Sequence, residues 1–197
     1  GLEFEVVFKD IEELNAGLSA AEGVRPHISK ASYAVLPQVA DRYCALRSGS
    51  ALGRGNGPLL VAGDESAATD DCSMRIAVPG MHTTANLLME RLFPHLSDKR
   101  AYLFLLADLG VEWERATGLP LPLGVIVADR NLPAEVAGTA ERVLRRSIAY
   151  AFAHPADSLP FVREHAQELD EGVIRNHIEF FVNDYSLDIG PEGAEAV

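Results

Sequence analysis

Apolar and polar residues alternate at the start of the chain, with Leu2, Phe4, Val6 and Phe8 on one side and Glu3 and Glu5 on the other. A period of two is that of a half-buried strand and predicts one over residues 2–8. From Asp10 the period lengthens and predicts a helix over residues 10–18, with Asp10 as N-cap and Glu13 three positions on. Residues 23–26 read as a loop, and residues 27–29 as a short strand leading into Lys30-Ala31-Ser32. The helical stretch expected next is disturbed at Pro37, which has no N–H to donate. Gly49, Gly53, Gly55 and Gly57 mark residues 48–57 as a loop. An apolar run over residues 58–62 predicts a buried strand, and the polar, acidic residues 63–73 a surface connection. A strand over residues 74–78, a Pro79-Gly80 turn and a helix over residues 83–90 follow. Prolines hold residues 119–122 extended, and residues 123–128 read as a further strand. A long amphipathic helix over residues 134–153 has Pro133 at its start and is stopped by His154-Pro155. Two more helices are predicted over residues 160–169 and 172–182. Strands alternate with helices through the first two thirds of the chain, so the expected class is α/β, with the helical last third covering the sheet.

Charge narrows the choice of ligand. Seventeen Lys and Arg face 29 Asp and Glu, a formal charge of −12. So acidic a chain is a poor binder of phosphate backbones, and no nucleic-acid partner is expected. A small anion would be repelled by the overall field, so its site must supply its own positive potential. No apolar run approaches the roughly 18–20 residues a spanning helix needs, and the first residues lack the pattern of a signal peptide. No membrane partner is expected. Cys44 and Cys72 make no disulfide framework and suit a reducing compartment. With no Cys-x-x-Cys and no His-x-x-x-His pair, no metal site is expected. The sequence gives no sign of an organic cofactor.

The sharpest chemical signal runs from Arg75 to Leu88: strand, tight turn, helix. The first turn of a helix leaves about four N–H groups without internal partners, and with the helix dipole they form an anion site. Gly80 lets the backbone approach a ligand, and Thr83 and Thr84 add hydroxyl donors; Thr83 as a plain helix cap is the competing reading. The glycine-rich residues 50–60 hold no Gly-Lys-Ser/Thr and lead into a strand, so they are neither a P-loop nor a dinucleotide fingerprint. They read either as a flexible turn or as a cleft-lining loop in which Gly53, Asn56 and Gly57 make room for a ligand. Arg54 is a carboxylate partner or a surface charge. Ser32 donates to an anion or caps a helix. His82 alone among six histidines sits in a candidate site, as acid, base or positioning group. His165 and its acidic neighbours read as packing beside a solvated face, and Arg142, Arg145 and Arg146 as a solvated stripe.

Seven motifs, in order along the chain, resemble one family. They are Lys30-Ala31-Ser32, Ala51-Leu-Gly-Arg-Gly-Asn-Gly-Pro-Leu-Leu-Val61, Pro79-Gly-Met-His-Thr-Thr-Ala85, Asp108-Leu-Gly-Val-Glu-Trp-Glu114, Thr117-Gly-Leu-Pro-Leu-Pro-Leu-Gly124, His165-Ala-Gln-Glu168, and His177-Ile178 with Val182-Asn-Asp-Tyr-Ser186. The chain resembles the 1,4-dihydroxy-6-naphthoate synthases of menaquinone biosynthesis by the futalosine route. The resemblance implies a two-lobed fold like that of type 2 periplasmic binding proteins, with residues 1–72 and 126–197 in one lobe and 73–125 in the other. It also implies a cytoplasmic lyase that acts on cyclic dehypoxanthinyl futalosine, an anionic small molecule, in the cleft. Lys30, Ala31 and Ser32 match one substrate-contacting segment of the family, and Thr83, Thr84 and Ala85 the other. Chorismate dehydratase, of the same fold, and a non-catalytic carboxylate-binding module are the alternatives. Three departures stand out. Relatives begin with a further strand carrying a Ser-Pro-Cys-Pro-Asn-Asp-Thr-like motif. They carry a Gly-x-Ile-Ile-His-Glu-like motif, with the family's catalytic histidine, before the position of Asp108. They commonly have cysteine in place of Asn56. The expectation is that the intact protein carries a stretch left out between Phe104 and Leu105; a true deletion is the alternative.

Overall fold

The structure, a computed structural model, describes residues 2–20, 25–61, 77–94, 105–166 and 170–197. Helix α1 (Ile11–Ser19) leads to strand β1 (Ile28–Ser32), one 3-10 turn (Tyr33–Val35) and the short helix α2 (Leu36–Val39). Strands β2 (Tyr43–Ala45), β3 (Ala51–Gly53) and β4 (Leu59–Val61) follow. Then come α3 (Thr84–Leu92), β5 (Leu105–Asp108), α4 (Leu109–Thr117) and β6 (Leu121–Asp129). The remainder is helical: α5 (Ala134–Ala153), α6 (Pro155–His165), α7 (Glu171–Phe181), α8 (Asp184–Leu187) and α9 (Gly190–Glu195).

Local chemistry explains the helix starts. Asp10 caps α1 by accepting from the N–H of Glu12 at 2.9 Å, and Glu13 reaches back to the N–H of Asp10 at 3.4 Å. This is the capping box predicted for that position. Thr83, Asp108 and Asp170 cap α3, α4 and α7 by accepting from first-turn N–H groups, without the reciprocal bond.

Strand β6 organises the main sheet. Antiparallel β1 runs along one side of it, from Ile28↔Ala128 to Ser32↔Gly124. The other side holds β2, from Tyr43↔Asp129 to Ala45↔Val127, and β3, which pairs Ala51 with Gly124 but Leu52 with Pro122. The register skips Leu123, so β6 bulges there. Proline lacks the N–H a ladder needs and is tolerated beside such a bulge. That is why the two predicted pieces, residues 119–122 and 123–128, form one strand.

A second, two-stranded sheet pairs β4 with β5. Each sheet has its own core. Leu18, Ala31, Val35, Leu52, Val125 and Val127 pack in the first. Leu60, Leu88, Met89, Leu109 and Leu121 pack in the second. Because β6 supplies Val125 and Val127 to one and Leu121 to the other, it ties the two together. β4 lies within residues 1–72, expected in the first lobe, yet it pairs with β5 and buries Leu60 in the second core.

Several expectations need correction. Residues 2–8 form no strand, and Phe4, Val6 and Phe8 are exposed. Alternation gives a segment two faces, but a strand also needs a neighbour for its N–H and C=O groups, and no described residue supplies one. The glycine-rich segment is not all loop, since β3 lies in it against β6. Leu59 in β4 is 54% exposed, so that strand is buried on one face only. The helix predicted from residue 160 begins at Pro155, directly after α5. The strand predicted over residues 74–78 and the connection over 63–73 lie almost wholly outside the described residues, as does the 104/105 join. Among the described residues, no helix is long and apolar enough to cross a membrane.

Candidate functional site

The bulge in β6 gathers the two sequence segments singled out for anion binding. Leu123 is skipped by β3 and lies one residue past the last pair with β1. The Thr84 hydroxyl donates to the Leu123 carbonyl at 2.9 Å. Ser32 is the cross-strand partner of the next residue, Gly124. Ser32 and the start of α3 are thereby anchored to adjacent residues of one strand.

A third residue joins them directly. Asn15 on α1 is fully buried. Its Oδ1 accepts from the Ser32 N–H at 2.9 Å, and its Nδ2 donates to Ser32 Oγ at 3.0 Å and to the His82 carbonyl at 3.2 Å. Asn15 is not among the residues singled out from the sequence. Its signal was present: Ile11, Asn15 and Leu18 share one helical stripe, and a polar residue on an apolar stripe needs buried partners.

The two threonine hydroxyls are not free for a ligand, contrary to expectation. Thr83 Oγ1 accepts from the Asn86 N–H at 3.3 Å and donates to the Gly80 carbonyl at 2.7 Å, so Thr83 is the helix cap. Both side chains are buried, and a buried hydroxyl takes the nearest acceptor, here a backbone carbonyl. What α3 leaves over is backbone: the N–H groups of Thr84 and Ala85 meet no partner among the described residues. They lie at the positive end of the helix dipole.

Lys30 adds positive charge on the same side. It lies two residues before Ser32 on β1 and therefore shares its face. Its Cε sits 3.6 Å from where a Cβ on Gly124 would be, so its stem crosses a residue without a side chain. Lys30 is exposed, and Ala31 points into the first core. His82 is held by Glu12 of α1. Its Nδ1 lies 2.7 Å from Glu12 Oε1, and its backbone N–H donates to the same carboxylate at 3.2 and 3.3 Å. The Glu12 side chain lies across Gly80, where any Cβ would overlap it.

The glycine-rich segment is filled by the protein itself. A Cβ on Gly57 would lie 2.6 Å from Gly110 Cα and 2.8 Å from a methyl of Leu121. A Cβ on Gly53 would lie 2.9 Å from Asn56 Oδ1 and 3.6 Å from the ring of Phe181. The absent side chains make room for the start of α4 and the end of α7, not for an open cleft. The Asn56 amide is buried, with no hydrogen-bond partner among the described residues.

Arg54 is a carboxylate partner, but within the chain. It donates to Glu114 at 2.7 Å, to Glu192 at 2.5 Å and to the Gly118 carbonyl at 3.3 Å. The second Glu114 oxygen accepts from the Gly55 N–H at 2.8 Å, and the Tyr185 hydroxyl donates to Glu192. The Arg54 guanidinium holds the Glu114 carboxyl below its ordinary range. The Tyr185 hydroxyl, with Arg54 second, does the same for Glu192. Elsewhere His165 stacks on Phe161 with ring centroids 4.2 Å apart, in line with a packing role. Of the expected arginine stripe, Arg145 pairs with Asp188 at 3.2 Å and so ties α5 to the end of α8. Among the described residues, no three His, Cys, Asp or Glu side chains gather to hold a metal ion.

Known proteins match this arrangement along nearly the whole chain. The sequence model of the menaquinone biosynthesis family matches residues 1–102 and 90–197. A 1,4-dihydroxy-6-naphthoate synthase from Thermus thermophilus is 43% identical, over 98% of this chain and 80% of the relative. One from Streptomyces coelicolor is 34% identical, over 98% of this chain and 79% of the relative. The alignment with the Thermus protein runs over 223 positions, more than the 197 residues available, so the relative carries residues without a counterpart here. The crystal structure of a protein from Archaeoglobus fulgidus superimposes with a TM-score of 0.87 at 28% identity, over 98% of this chain and 82% of that one. With Ser32 and the Thr84 helix start drawn together on β6, and family matches on either side of residue 100, the chain belongs to the menaquinone biosynthesis family.

Proposed function

We propose that this protein is a lyase of menaquinone biosynthesis, a 1,4-dihydroxy-6-naphthoate synthase that acts on cyclic dehypoxanthinyl futalosine. The observation that carries this reading is the convergence of Ser32 and the start of α3, held by the Thr84 hydroxyl, on Gly124 and Leu123 of β6. In a chain of net charge −12, that cluster of donors with Lys30 beside it is a local exception, and a carboxylate is the ligand it suits. The names of the Thermus and Streptomyces relatives support the same conclusion.

On this reading the segments Lys30-Ala31-Ser32 and Thr83-Thr84-Ala85 hold the substrate carboxylate. Anchoring that end fixes the reacting ring in place for removal of a proton, which starts elimination and fragmentation. The base is a histidine in the stretch that relatives carry and this sequence lacks. Two lobes close on the ligand as in type 2 periplasmic binding proteins and exclude water from the reactive intermediate. Residues 73–125, joined by β4, form the core of one lobe, and β1, β2 and the C-terminal helices belong to the other. The cytoplasm is the expected location.

The test is incubation of the intact protein with cyclic dehypoxanthinyl futalosine and detection of the naphthoate. Product is expected, and its absence under conditions in which the Thermus relative forms it rejects the assignment. The excess of alignment positions over residues also fits a second reading, a carboxylate-binding module without a base. It predicts ligand affinity without turnover and an intact mass of 21.3 kDa for the purified protein.

A further inference from the structure

We infer that Asn15 is a positioning residue that aims the Ser32 hydroxyl at the ligand; the inference rests on the carboxylate site proposed above. Which atoms can donate fixes the orientation of the Asn15 amide. The Ser32 backbone N–H can only donate, so the Asn15 atom 2.9 Å from it is the acceptor Oδ1. That fixes the amide, and the atom facing Ser32 Oγ at 3.0 Å is the donor Nδ2. Ser32 Oγ therefore receives a hydrogen bond from Asn15 and cannot give its own proton back to it. No other described residue accepts that proton. Ser32 is 4% exposed, and a hydroxyl so buried is rarely left without an acceptor.

The remaining direction is set by the neighbours. Lys30 shares the face of β1 on which Ser32 lies, and both Ser32 and the Thr84 hydroxyl are tied to residues 123 and 124 of β6. Accepting from Asn15 also polarises the Ser32 O–H and makes it a stronger donor to an anion. The second Nδ2 proton holds the His82 carbonyl at 3.2 Å, one residue before the cap of α3. One amide thus orients the hydroxyl and sets its distance from the Thr84 and Ala85 amides. Asn15 does this from full burial and without touching the ligand.

Replacing the amide by a carboxylate reverses the hydroxyl. In Asn15→Asp one oxygen still accepts from the Ser32 N–H, while the other accepts the Ser32 O–H and turns it inward. The test is a double-mutant cycle in the intact protein, with Asn15→Asp and Ser32→Ala, reading the affinity for 1,4-dihydroxy-6-naphthoate by calorimetry. Ser32→Ala alone is expected to weaken binding roughly tenfold, the loss of one hydrogen bond to a charged group. Repulsion by the new carboxylate acts in both backgrounds and cancels in the cycle. Asn15→Asp is therefore expected to cost about tenfold more with Ser32 present than in the Ser32→Ala background. Equal factors in the two backgrounds overturn the inference. If thermal melts show that Asn15→Asp does not fold, Asn15→Ala replaces it in the same cycle, with the same two outcomes. Wild-type protein that neither binds the naphthoate nor turns over the futalosine, where the Thermus relative does both, overturns the proposed function and this inference with it. Wild-type binding with equal factors removes the inference alone.

Discussion

Two regions beside β6 carry the features of a ligand site in the sequence, and the structure separates them. At the Ser32–Thr84 junction, hydrogen-bond donors outnumber their acceptors: the Ser32 hydroxyl and two helix-start amides are left over among the described residues. At the glycine-rich turn the charged and backbone donors are met within the chain, and only the buried Asn56 amide has no partner among the described residues. Arg54 meets Glu114, Glu192 and the Gly118 carbonyl, and the Gly55 N–H meets Glu114. The space vacated at Gly57 is occupied by Gly110, and that at Gly53 by Asn56 and Phe181. Glycine permits close approach but does not say of what; at Gly57 it is backbone against backbone. Surplus donors in an acidic chain are the more specific sign of an anion site.

The strongest way to break this contrast is Gly110→Ala. A Cβ there would lie 2.7 Å from Gly57 N and overlap the Asn56 carbonyl. Neither contact is the end of a flexible side chain, so the loop or α4 must move. A loss of roughly 3 kcal/mol in a denaturant melt is expected, at the upper end for over-packing. A loss below about 0.5 kcal/mol, ordinary for a surface change, shows that the turn has slack to hold a ligand.

Thr84→Val is the matching change at the junction. It keeps the shape of the side chain but leaves the Leu123 carbonyl without its 2.9 Å donor. An unsatisfied buried acceptor costs about 1–2 kcal/mol. The denaturation midpoint should fall with an unchanged slope, and weaker naphthoate binding should accompany it, because α3 loses its anchor on β6. Unchanged stability shows that the carbonyl finds another partner and that the bulge does not depend on Thr84.

The smallest effect is expected at Arg54. Glu114 and Glu192 both titrate below their ordinary range in the folded chain. Their stabilising contribution is therefore complete above the unfolded carboxylate value, near pH 4.3, and is lost as pH falls through the lowered folded values. Arg54→Met should lower stability slightly near neutral pH, where the contribution is complete, and flatten the acid side of the curve by the same small amount, since the groups are largely solvated. Melting temperatures recorded across pH 3 to 7, a range set by the carboxylate values, give the comparison. A parallel fall in wild type and variant removes the network from the account.

Much of the site was legible before any coordinates. The Pro79-Gly80 turn and the helix from Thr84 follow from breaker and cap residues, which act within a few positions of themselves. The capping box at Asp10 is equally local. Ser32 and the Thr83–Ala85 segment could be named from motif order, although not joined. The parts that went unread all depend on a partner distant in sequence. Residues 2–8 have the alternation of a strand and, among the described residues, no strand beside them. Residues 119–122 and 123–128 read as two pieces, and it takes β3, skipping Leu123 beside Pro122, to join them in one strand.

The sequence by itself determined the acidic charge, the α/β class, the starts of α1, α3 and α5 and the family motifs, because each depends on composition or on neighbours within a turn of chain. Only the tertiary structure decided which donors remain for a ligand. A hydroxyl is available or engaged according to what lies within about 3 Å of it. The groups that settle this for Ser32 and Thr84 are Asn15, 17 residues away, and Leu123, 39 residues away.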